Sequence, residues 1–349
     1  MTETTYSAVI VTRNRAHALR LTIPLLLAQS RPPMEMVVID SSDDHAEVAG
    51  LVAGMAADAA VPLRCVQSAP GMTHQRNVGL EQVSGDVVLY PDDDSLFFPG
   101  AMARVMAVYD RDAEGRIGGV GGAESFVPPP GVLGSTGTYE MSRSDRIKAR
   151  IARPRYALQN RIADDPLVIR ARQMIAEMSL PDWLDEAGAK VVPYNTGFRM
   201  SFRRHVIEAV RFEEKLGRYA LLEDIDAALG VLGTGHLLVA AEGAGVYHHK
   251  SPERRADGYA WGVIQLLNRA YVMARHHRGD PALIRATRAH GRLKIAQYAL
   301  GLRSGFGRGR LAGALKGYAH QMPILRAAPD EVDAAYLSAR EICLKGRSA

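Results

Sequence analysis

The sequence predicts an α/β protein whose mostly parallel sheet is covered by helices. Short apolar runs alternate with helix-like segments between Tyr6 and Tyr90, and a polar loop follows the apolar part of three of these runs. Strands that are separated by helices pair in parallel, and such sheets bind ligands beyond the carboxyl ends of their strands. We therefore expect a buried sheet with a ligand site along one edge.

Hydrophobic patterning places the elements in order. Strands are expected at residues 6–12, 34–40, 63–67 and 86–90, and helices at about 16–29, 46–60 and 72–83. From about 142 to 185 the chain turns basic and helical, interrupted by Pro154 and Pro166, which predicts an insertion that covers the site or contacts the acceptor. A length of 349 residues suffices for a buried core. We expect an α/β domain over 1–260 and a basic helical C-terminal extension over 261–349.

Three consecutive aspartates, Asp92, Asp93 and Asp94, follow the fourth predicted strand directly. Like charges this close repel one another unless a cation or water screens them, and Mg²⁺ and Mn²⁺ prefer carboxylate oxygen. One interpretation is therefore a divalent metal site that also holds phosphates. The other is an exposed acidic turn before Pro99. Polar loops at 12–15 and 40–43 also follow strands, so three loops converge on one edge, which favours the metal site.

Positive charge is concentrated near the C-terminus, although the net charge is only +5. Residues 269–326 hold many Arg and Lys residues against a single acid, Asp280. The stretches 291–303 and 309–317 mix apolar and basic residues, which is typical of amphipathic surface helices. Two alternatives stay open: helices packed on the α/β domain with a solvated basic face, or binding to an anionic membrane surface. No nucleic-acid-binding motif accompanies the charge, so nucleic acid is not an expected partner.

Composition and termini indicate a cytoplasmic protein, either soluble or peripheral on the inner face of the cell membrane. Hydrophobic residues make up 47% and charged residues 23% of the chain, which argues against extended disorder. Cys65 and Cys343 offer neither a disulfide framework nor metal-ligand spacing. Residues 1–5 lack the features of a signal peptide, and no apolar run reaches the roughly 18 residues that span a bilayer.

The order of motifs resembles the family 2 glycosyltransferases, inverting enzymes of the GT-A fold, over roughly residues 6–260. The matching segments in the first half are 8–15 (Ala-Val-Ile-Val-Thr-Arg-Asn-Arg), 37–44 (Val-Val-Ile-Asp-Ser-Ser-Asp-Asp), 71–79 (Gly-Met-Thr-His-Gln-Arg-Asn-Val-Gly) and the Asp triplet at the position of the DxD motif. Ser41 and Ser42 depart from the family pattern, which has an acidic pair followed by Gly-Ser. The resemblance implies that 1–260 is the GT-A catalytic domain.

In the second half the resemblance covers 194–204 and the segment 222–226 (Leu-Glu-Asp-Ile-Asp). It implies that Asp224 is the base that takes the acceptor hydroxyl's proton, with Glu223 beside it. Asp226 is expected to stabilise the first turn of the following helix. Helix capping is the alternative role for Glu223 and Asp224.

His248 and His249 end a later apolar run, where some GT-A enzymes place a histidine near the metal, and His248 is slightly favoured. Lys250 and Arg254 stay open as partners of the leaving diphosphate. Tyr259 and Trp261 are expected to pack in the core rather than on a sugar. These residues complete the site that the resemblance implies.

The sequence thus predicts a glycosyltransferase that uses Mg²⁺ or Mn²⁺ and a nucleotide-diphosphate sugar, acts on a glycan or lipid-linked acceptor, and serves surface or exopolysaccharide synthesis. The implied donor contacts are Thr12, Arg13, Arg15, Asp40, Arg76, Asp92 and Asp93, and the implied metal ligands are Asp92, Asp94, His248 and His249. One alternative is a sugar-phosphate nucleotidyltransferase, which the absence of glycine from residues 12–15 disfavours. The other is an inactive scaffold that binds a nucleotide sugar, which the intact acidic motifs disfavour.

Overall fold

One mixed sheet of nine strands lies at the centre of the computed structural model, which describes residues 3–133, 165–217, 219–250, 257–277 and 279–345. The strands are β1 Tyr6–Thr12, β2 Glu35–Asp40, β3 Leu63–Gln67, β4 Val87–Tyr90, β5 Ser95–Phe97, β6 Ile117–Ser125, β7 Ala189–Val191, β8 Met200–Arg203 and β9 Leu237–His248. Their order across the sheet is β3-β2-β1-β4-β8-β6-β9-β5, and β7 pairs with β9.

The predicted parallel pairing holds for the four strands nearest the N-terminus. β1 lies between β2 and β4, β2 pairs with β3, and all three pairings are parallel. Beyond β4 the sheet is mixed, because β8 runs antiparallel to both of its neighbours while β6 and β9 are parallel. β5 and β7 are antiparallel to β9. Because β8 reverses direction between β4 and β6, the strands β1–β4, β6 and β9 all run the same way, so the sheet is mostly parallel as predicted. The antiparallel strands β5, β7 and β8 depend on long connections that local patterning does not reveal.

Helices cover both faces of the sheet. They are α1 Ala16–Leu27, α2 His45–Ala56, α3 Met72–Glu81, α4 Ala101–Arg111, α5 Pro166–Ala176, α6 Arg204–Val210, α7 Glu223–Gly233, α8 Gly258–His276, α9 Pro281–Ala299, α10 Gly305–Arg326 and α11 Val332–Leu344. Alternate residues of β1 enter two cores: Ala8 and Ile10 pack with α1, α2 and α4, whereas Val9 and Val11 pack with α3, α7 and α8. Burial on both faces explains why the first strands are uninterrupted apolar runs.

The predicted insertion is partly described. Residues 142–164 lie outside the described residues, and the rest contains α5, in which Pro166 occupies the first turn instead of interrupting a helix. Asp165 caps this helix, because its carboxylate accepts a hydrogen bond from Leu167 N at 3.0 Å. Residue 260 falls in the first turn of α8, whose residues Leu267 and Tyr271 belong to the same core as β1. The division at 260 stays a prediction.

The C-terminal region is helical, as predicted, and two of its long helices, α8 and α10, approach each other closely. A Cβ atom on Gly262 of α8 would lie 2.1 Å from the carbonyl oxygen of Arg310, and one on Gly313 of α10 would lie 2.0 Å from that of Tyr259. Glycine is therefore required at this seam. Tyr259 and Trp261 pack against the core as expected. None of the helices in the described ranges is long and apolar enough to cross a membrane.

Candidate active site

The three polar loops that follow β1, β2 and β4 meet at one edge of the sheet. Thr12 Oγ1 donates to Asp93 Oδ2 at 2.8 Å, and Arg13 Nη2 lies 2.9 Å from Asp43 Oδ1. A cleft of about 680 Å³ opens between these loops. It is lined by Val11, Thr12, Arg13, Asn14, Arg15, Ser41, Asp43, Asp44, Glu47, Pro70, Gly71, Met72, Gln75, Asp92, Asp93 and Tyr219. Five of the predicted donor contacts therefore line one cavity.

Arg15 holds two of the three aspartates. Its guanidinium lies 2.7 Å from Asp93 Oδ1 and 2.5 Å from Asp94 Oδ2. Burial is the largest effect on Asp93 and raises its pKa to about 7, which Arg15 partly offsets. Burial alone would also raise the pKa of Asp94, but a hydrogen bond from His248 and the charge of Arg15 lower it well below its usual range. Asp94 is therefore ionised at neutral pH.

Asp92, Asp94 and His248 form a group that could hold a metal ion. One ligand atom from each lies within 4.8 Å of the others. His248 Nε2 lies 3.2 Å from Asp94 Oδ1 and 3.9 Å from Asp92 Oδ2, and Phe198 stacks on the imidazole with ring centroids 4.7 Å apart. Two carboxylates and an imidazole suit Mn²⁺, and the carboxylates alone suit Mg²⁺. His249 is not part of this group, and its backbone N–H donates to Asp94 O at 3.0 Å.

Arg76 joins this metal group to the second acidic pair. The side chain projects from α3, is 1% exposed, and donates from Nη1 to Glu223 Oε1 at 2.9 Å and from Nη2 to Asp92 Oδ1 at 3.2 Å. Its guanidinium also lies over the ring of Phe212, 5.3 Å from the centroid. Burial disfavours the charge, but Glu223 and Asp92 raise the pKa of Arg76 above its ordinary value. This arginine is therefore charged and fully enclosed by protein.

Glu223 and Asp224 begin α7, next to the turn at Gly197. The backbone N–H of Gly197 donates to Asp224 Oδ2 at 3.3 Å, and that of Ile225 donates to Oδ1 at 2.8 Å. A Cβ on Gly197 would lie 2.9 Å from Glu223 Oε1, so this close approach needs glycine. Burial, followed by the charge of Asp224, raises the pKa of Glu223 to about 7, and burial also raises the pKa of Asp224. The pair therefore binds a proton more readily than ordinary carboxylates do.

Asp40 has a different environment from the other predicted donor contacts. It is fully buried, is not among the residues that line the cleft, and accepts hydrogen bonds from Ser42 N at 2.9 Å and Ser42 Oγ at 2.5 Å. His45 Nδ1 lies 2.7 Å from its other oxygen. Ser42 Oγ also accepts from Asn14 N at 2.7 Å. The serine that departs from the family pattern thus fastens the second loop to the first, and Asp43 and Asp44 line the cleft instead.

Asp226 was expected to stabilise the first turn of α7, and it does lie in that turn. Its carboxylate also forms ion pairs with Arg275 Nη1 at 2.7 Å and His276 Nε2 at 2.9 Å, both at the end of α8. Its larger contribution is therefore to fasten α8 to α7. Arg254 lies outside the described residues, and Lys250 is exposed beyond β9.

Sequence patterning missed two residues that shape the site. Gln75 Nε2 donates to the carbonyl oxygens of Thr12 at 3.0 Å and Ile39 at 2.8 Å, which clamps the ends of β1 and β2. The available signal for Gln75 was its polar side chain just before Arg76, on the buried side of a helix. Phe198 had no such signal, because its contact with His248 depends on the pairing of distant strands.

The fold is the GT-A fold, which a class of glycosyltransferases shares. Residues 7–167 match the family model described as Glycosyl transferase family 2, which agrees with the resemblance that the motifs predicted. No curated protein sequence matches the chain significantly.

Solved structures of similar fold include TarS 1–349 from S. aureus in complex with UDP-GlcNAc, which has 14% identity and a TM-score of 0.52, with 98% of this chain and 92% of that chain covered. The mannosyltransferase PcManGT from Pyrobaculum calidifontis in complex with GDP-Man and Mn²⁺ has 16% identity and a TM-score of 0.47, with 100% and 77% covered. GalNAc-T7 with UDP, GalNAc and Mn²⁺ has 14% identity and a TM-score of 0.49, with 78% and 48% covered. The likeness to TarS shows a shared fold.

Replacing the buried arginine tests how far the site depends on it. We expect Arg76→Met to lower the free energy of unfolding by about 3–5 kcal/mol, because Glu223 is left buried without its cation. The loss is smaller at pH 6 than at pH 8.5, since the native variant keeps a proton on Glu223 that the unfolded chain releases, so stability falls as pH rises. Urea denaturation at both pH values measures this. Lys190→Met is the control, because the ion pair between Lys190 and Glu242 is exposed to solvent, where screening leaves such a pair little effect on stability; equal losses in the two variants would contradict the prediction.

Proposed function

We propose that the protein is an inverting glycosyltransferase that takes a sugar from a nucleotide-diphosphate donor, with Mn²⁺ or Mg²⁺, and transfers it to a hydroxyl of a glycan or lipid-linked acceptor. The observation that supports this most directly is the bridge through Arg76. One carboxylate of the metal group and one of the Glu223–Asp224 pair contact the same buried guanidinium. The site therefore joins groups suited to a diphosphate with groups suited to proton removal.

The cleft has the chemistry that a nucleotide diphosphate needs. Arg13 and Arg15 line it, and the buried Nε atoms of both have no hydrogen-bond partner in the described part of the chain. Unpaired guanidinium N–H groups are donors that phosphate oxygens satisfy well. We assign Thr12, Arg13 and Arg15 to the base or phosphates and Asp92 and Asp93 to the donor. Arg76, which was predicted to contact the diphosphate or ribose, is enclosed by protein and instead holds Asp92 and Glu223 in place. Asp40 does not line the cleft, and it supports the loop after β2 through its hydrogen bonds with Ser42.

Asp92, Asp94 and His248 would hold the metal ion. When bound, a divalent ion neutralises the charge that grows on the leaving diphosphate. The chain's own residues prepare for this: Arg15 orients the carboxylate of Asp94, and stacking on Phe198 fixes the plane of the His248 imidazole. His249 lies outside the group of possible ligands, so we assign it no metal contact.

Asp224 would act as the general base. Its Oδ1 and Oδ2 are oriented by backbone N–H groups, which leaves lone pairs for the acceptor hydroxyl. The hydroxyl oxygen attacks the anomeric carbon, its proton passes to Asp224, and the bond to the nucleotide diphosphate breaks, so the configuration inverts. Glu223 keeps Arg76 in place. We place the reaction in surface or exopolysaccharide synthesis. A nucleotidyltransferase or an inactive scaffold fits less well, because neither needs the Glu223–Asp224 pair that Arg76 joins to the metal group.

Removing the metal ligands is the direct test of the donor site. We expect Asp94→Ala, and to a similar degree Asp92→Ala, nearly to abolish turnover and to remove the Mn²⁺-dependent rise in Tm that a nucleotide sugar produces in the wild type. A thermal-shift screen of UDP- and GDP-sugars with and without Mn²⁺ measures this. Asp58→Ala, on an exposed loop, is the control. A folded double alanine variant with wild-type turnover would rule out the metal site.

Asp224→Asn preserves the side chain's shape and removes the proton acceptor. We expect donor binding to persist and the rate of transfer to fall by about a hundredfold to ten-thousandfold. Because burial raises the pKa of both carboxyls of the pair, the wild-type kcat/KM falls as pH drops through a pKa above the ordinary carboxylate range. Single-turnover transfer from pH 5.5 to 8.5 measures both effects. An unchanged rate in the Asn variant would mean that a residue other than Asp224 acts as the general base.

We further propose that the turn between α9 and α10 contacts an anionic membrane surface. Leu300 is 87% exposed, and Leu302 and Phe306 are each 45% exposed. Arg303 and Arg308 are exposed beside them. Apolar side chains next to cations are typical of interfacial binding, in which each cation contributes roughly 1 kcal/mol. The opposite face of α10 packs on α8, so packing and membrane contact involve different faces of one helix.

Charge reversal at the turn tests membrane contact. We expect Arg303→Glu with Arg308→Glu to reduce sedimentation with anionic vesicles several-fold, and wild-type binding to fall as salt rises. Arg310 is left unchanged because its guanidinium stacks 4.3 Å from the centroid of the Tyr298 ring and supports the fold. Leu337→Ser with Ile342→Ser is the control, since these side chains are 46% and 52% exposed on α11, away from the turn. Equal vesicle binding by all three proteins would defeat the proposal.

A further inference from the structure

A second charged cluster lies beside the segment that carries Asp224. It consists of Asp165 before α5, Arg269 on α8, and His290 and Lys294 on α9, and we call it the Arg269 cluster. Arg269 is 5% exposed, and its Nη1 contacts the carboxylate of Asp165. The neighbouring Asn268 donates from Nδ2 to Leu221 O at 2.9 Å, three residues before Asp224. The helix that carries Arg269 is therefore fastened to the loop that presents the proposed base.

One member of this cluster, His290, is left without a hydrogen-bond partner by the described protein. His290 is 5% exposed, and neither of its ring nitrogens has a hydrogen-bond partner in the described part of the chain. Buried polar groups are nearly always paired, and an unpaired one costs free energy unless a ligand or water completes it. Burial, followed by the charge of Arg269, lowers the pKa of His290 to about 4, so the imidazole is neutral and offers one N–H.

The cluster also carries more positive than negative charge. Lys294 is partly exposed, and burial and the charge of Arg269 lower its pKa, although Asp165 opposes this. The cluster thus comprises two cations, Arg269 and Lys294, and one described carboxylate, Asp165, which contacts Arg269. An excess of positive charge favours an additional anion.

Tyr194 relates the cluster to the reaction centre. Burial raises the pKa of Tyr194, as do the charges of Asp224 and Asp165, whereas Arg199 and Arg269 act in the opposite direction. The phenol is therefore within electrostatic range of both the proposed base and the cluster. Tyr194 also lies three residues before Gly197, whose N–H contacts Asp224. The cluster is therefore electrostatically linked to a residue near the proposed base.

We propose that the Arg269 cluster binds a phosphate group carried by the acceptor, which rests on the proposed glycosyltransferase function. A tetrahedral phosphate offers several acceptor oxygens and up to two negative charges, which matches a guanidinium, an ammonium and an imidazole N–H. Such a phosphate occurs both in a lipid-linked sugar and in a phosphorylated soluble glycan. Lys294 is the accessible cation, and Arg269 with His290 forms the buried floor.

The test uses the full chain in EDTA, with inorganic phosphate, glucose 1-phosphate, geranyl phosphate and unphosphorylated glucose as probes. Calorimetric titration compares the wild type, Lys294→Gln and the matched variant Arg292→Gln, which removes an exposed cation from the same helix. We expect the phosphate probes to bind the wild type and Arg292→Gln alike, and to bind Lys294→Gln about tenfold to a hundredfold more weakly, with no binding of glucose. Phosphate that occupies the donor cleft binds all three proteins equally and is thereby recognised.

Tighter binding of geranyl phosphate than of glucose 1-phosphate would support the lipid-linked source, and the reverse would support the phosphorylated glycan. Equal affinities of the three proteins for every probe, or no binding to the wild type, would overturn the inference. Metal-dependent hydrolysis of a nucleotide sugar by the wild type, without acceptor, is measured in parallel. Hydrolysis without Lys294-dependent phosphate binding refutes the phosphate subsite alone, whereas binding without hydrolysis refutes the transferase proposal.

Discussion

A single buried guanidinium holds the site together. Arg76 reaches from α3 to Asp92 after β4 and to Glu223 at the start of α7, so three elements that are distant in sequence share one charge. At 1% exposure this charge cannot be solvated by water, and its carboxylate partners must stay where they are. The relative position of the metal group and the proposed base is therefore set by one residue that also packs on Phe212.

Excess negative charge is the second constraint. Asp92, Asp93 and Asp94 lie near one another with Arg15 and Arg76 as the facing cations, and burial keeps the pKa of Asp93 near 7. A protein maintains such a cluster only with protons or cations in place. These carboxylates lie together because parallel strands end side by side. The repulsion between their charges is therefore a consequence of the sheet topology.

The basic charge of the C-terminal region divides between two structural roles. Arg269 and Arg275 form ion pairs with Asp165 and Asp226. These ion pairs fasten α8 to the segment before α5 and to α7. The cations at the turn after α9 stay exposed next to apolar side chains. Glycines along α8 and α10 permit this arrangement, because close backbone contact holds the outer helices without large side chains. The helical region is thus part of the architecture of the site.

The sequence by itself determined the first four strands, the three helices between them and the convergence of their loops, because strands buried on both faces and polar loop residues leave strong local patterns. It also located the Asp triplet and the Glu223–Asp224 pair. Only the tertiary structure decided that His248 rather than His249 joins the acidic group, that Asp40 turns toward Ser42, and that β5, β7 and β8 run antiparallel to their neighbours. These outcomes depend on pairings between residues far apart in the chain, and local patterning carries no information about such contacts.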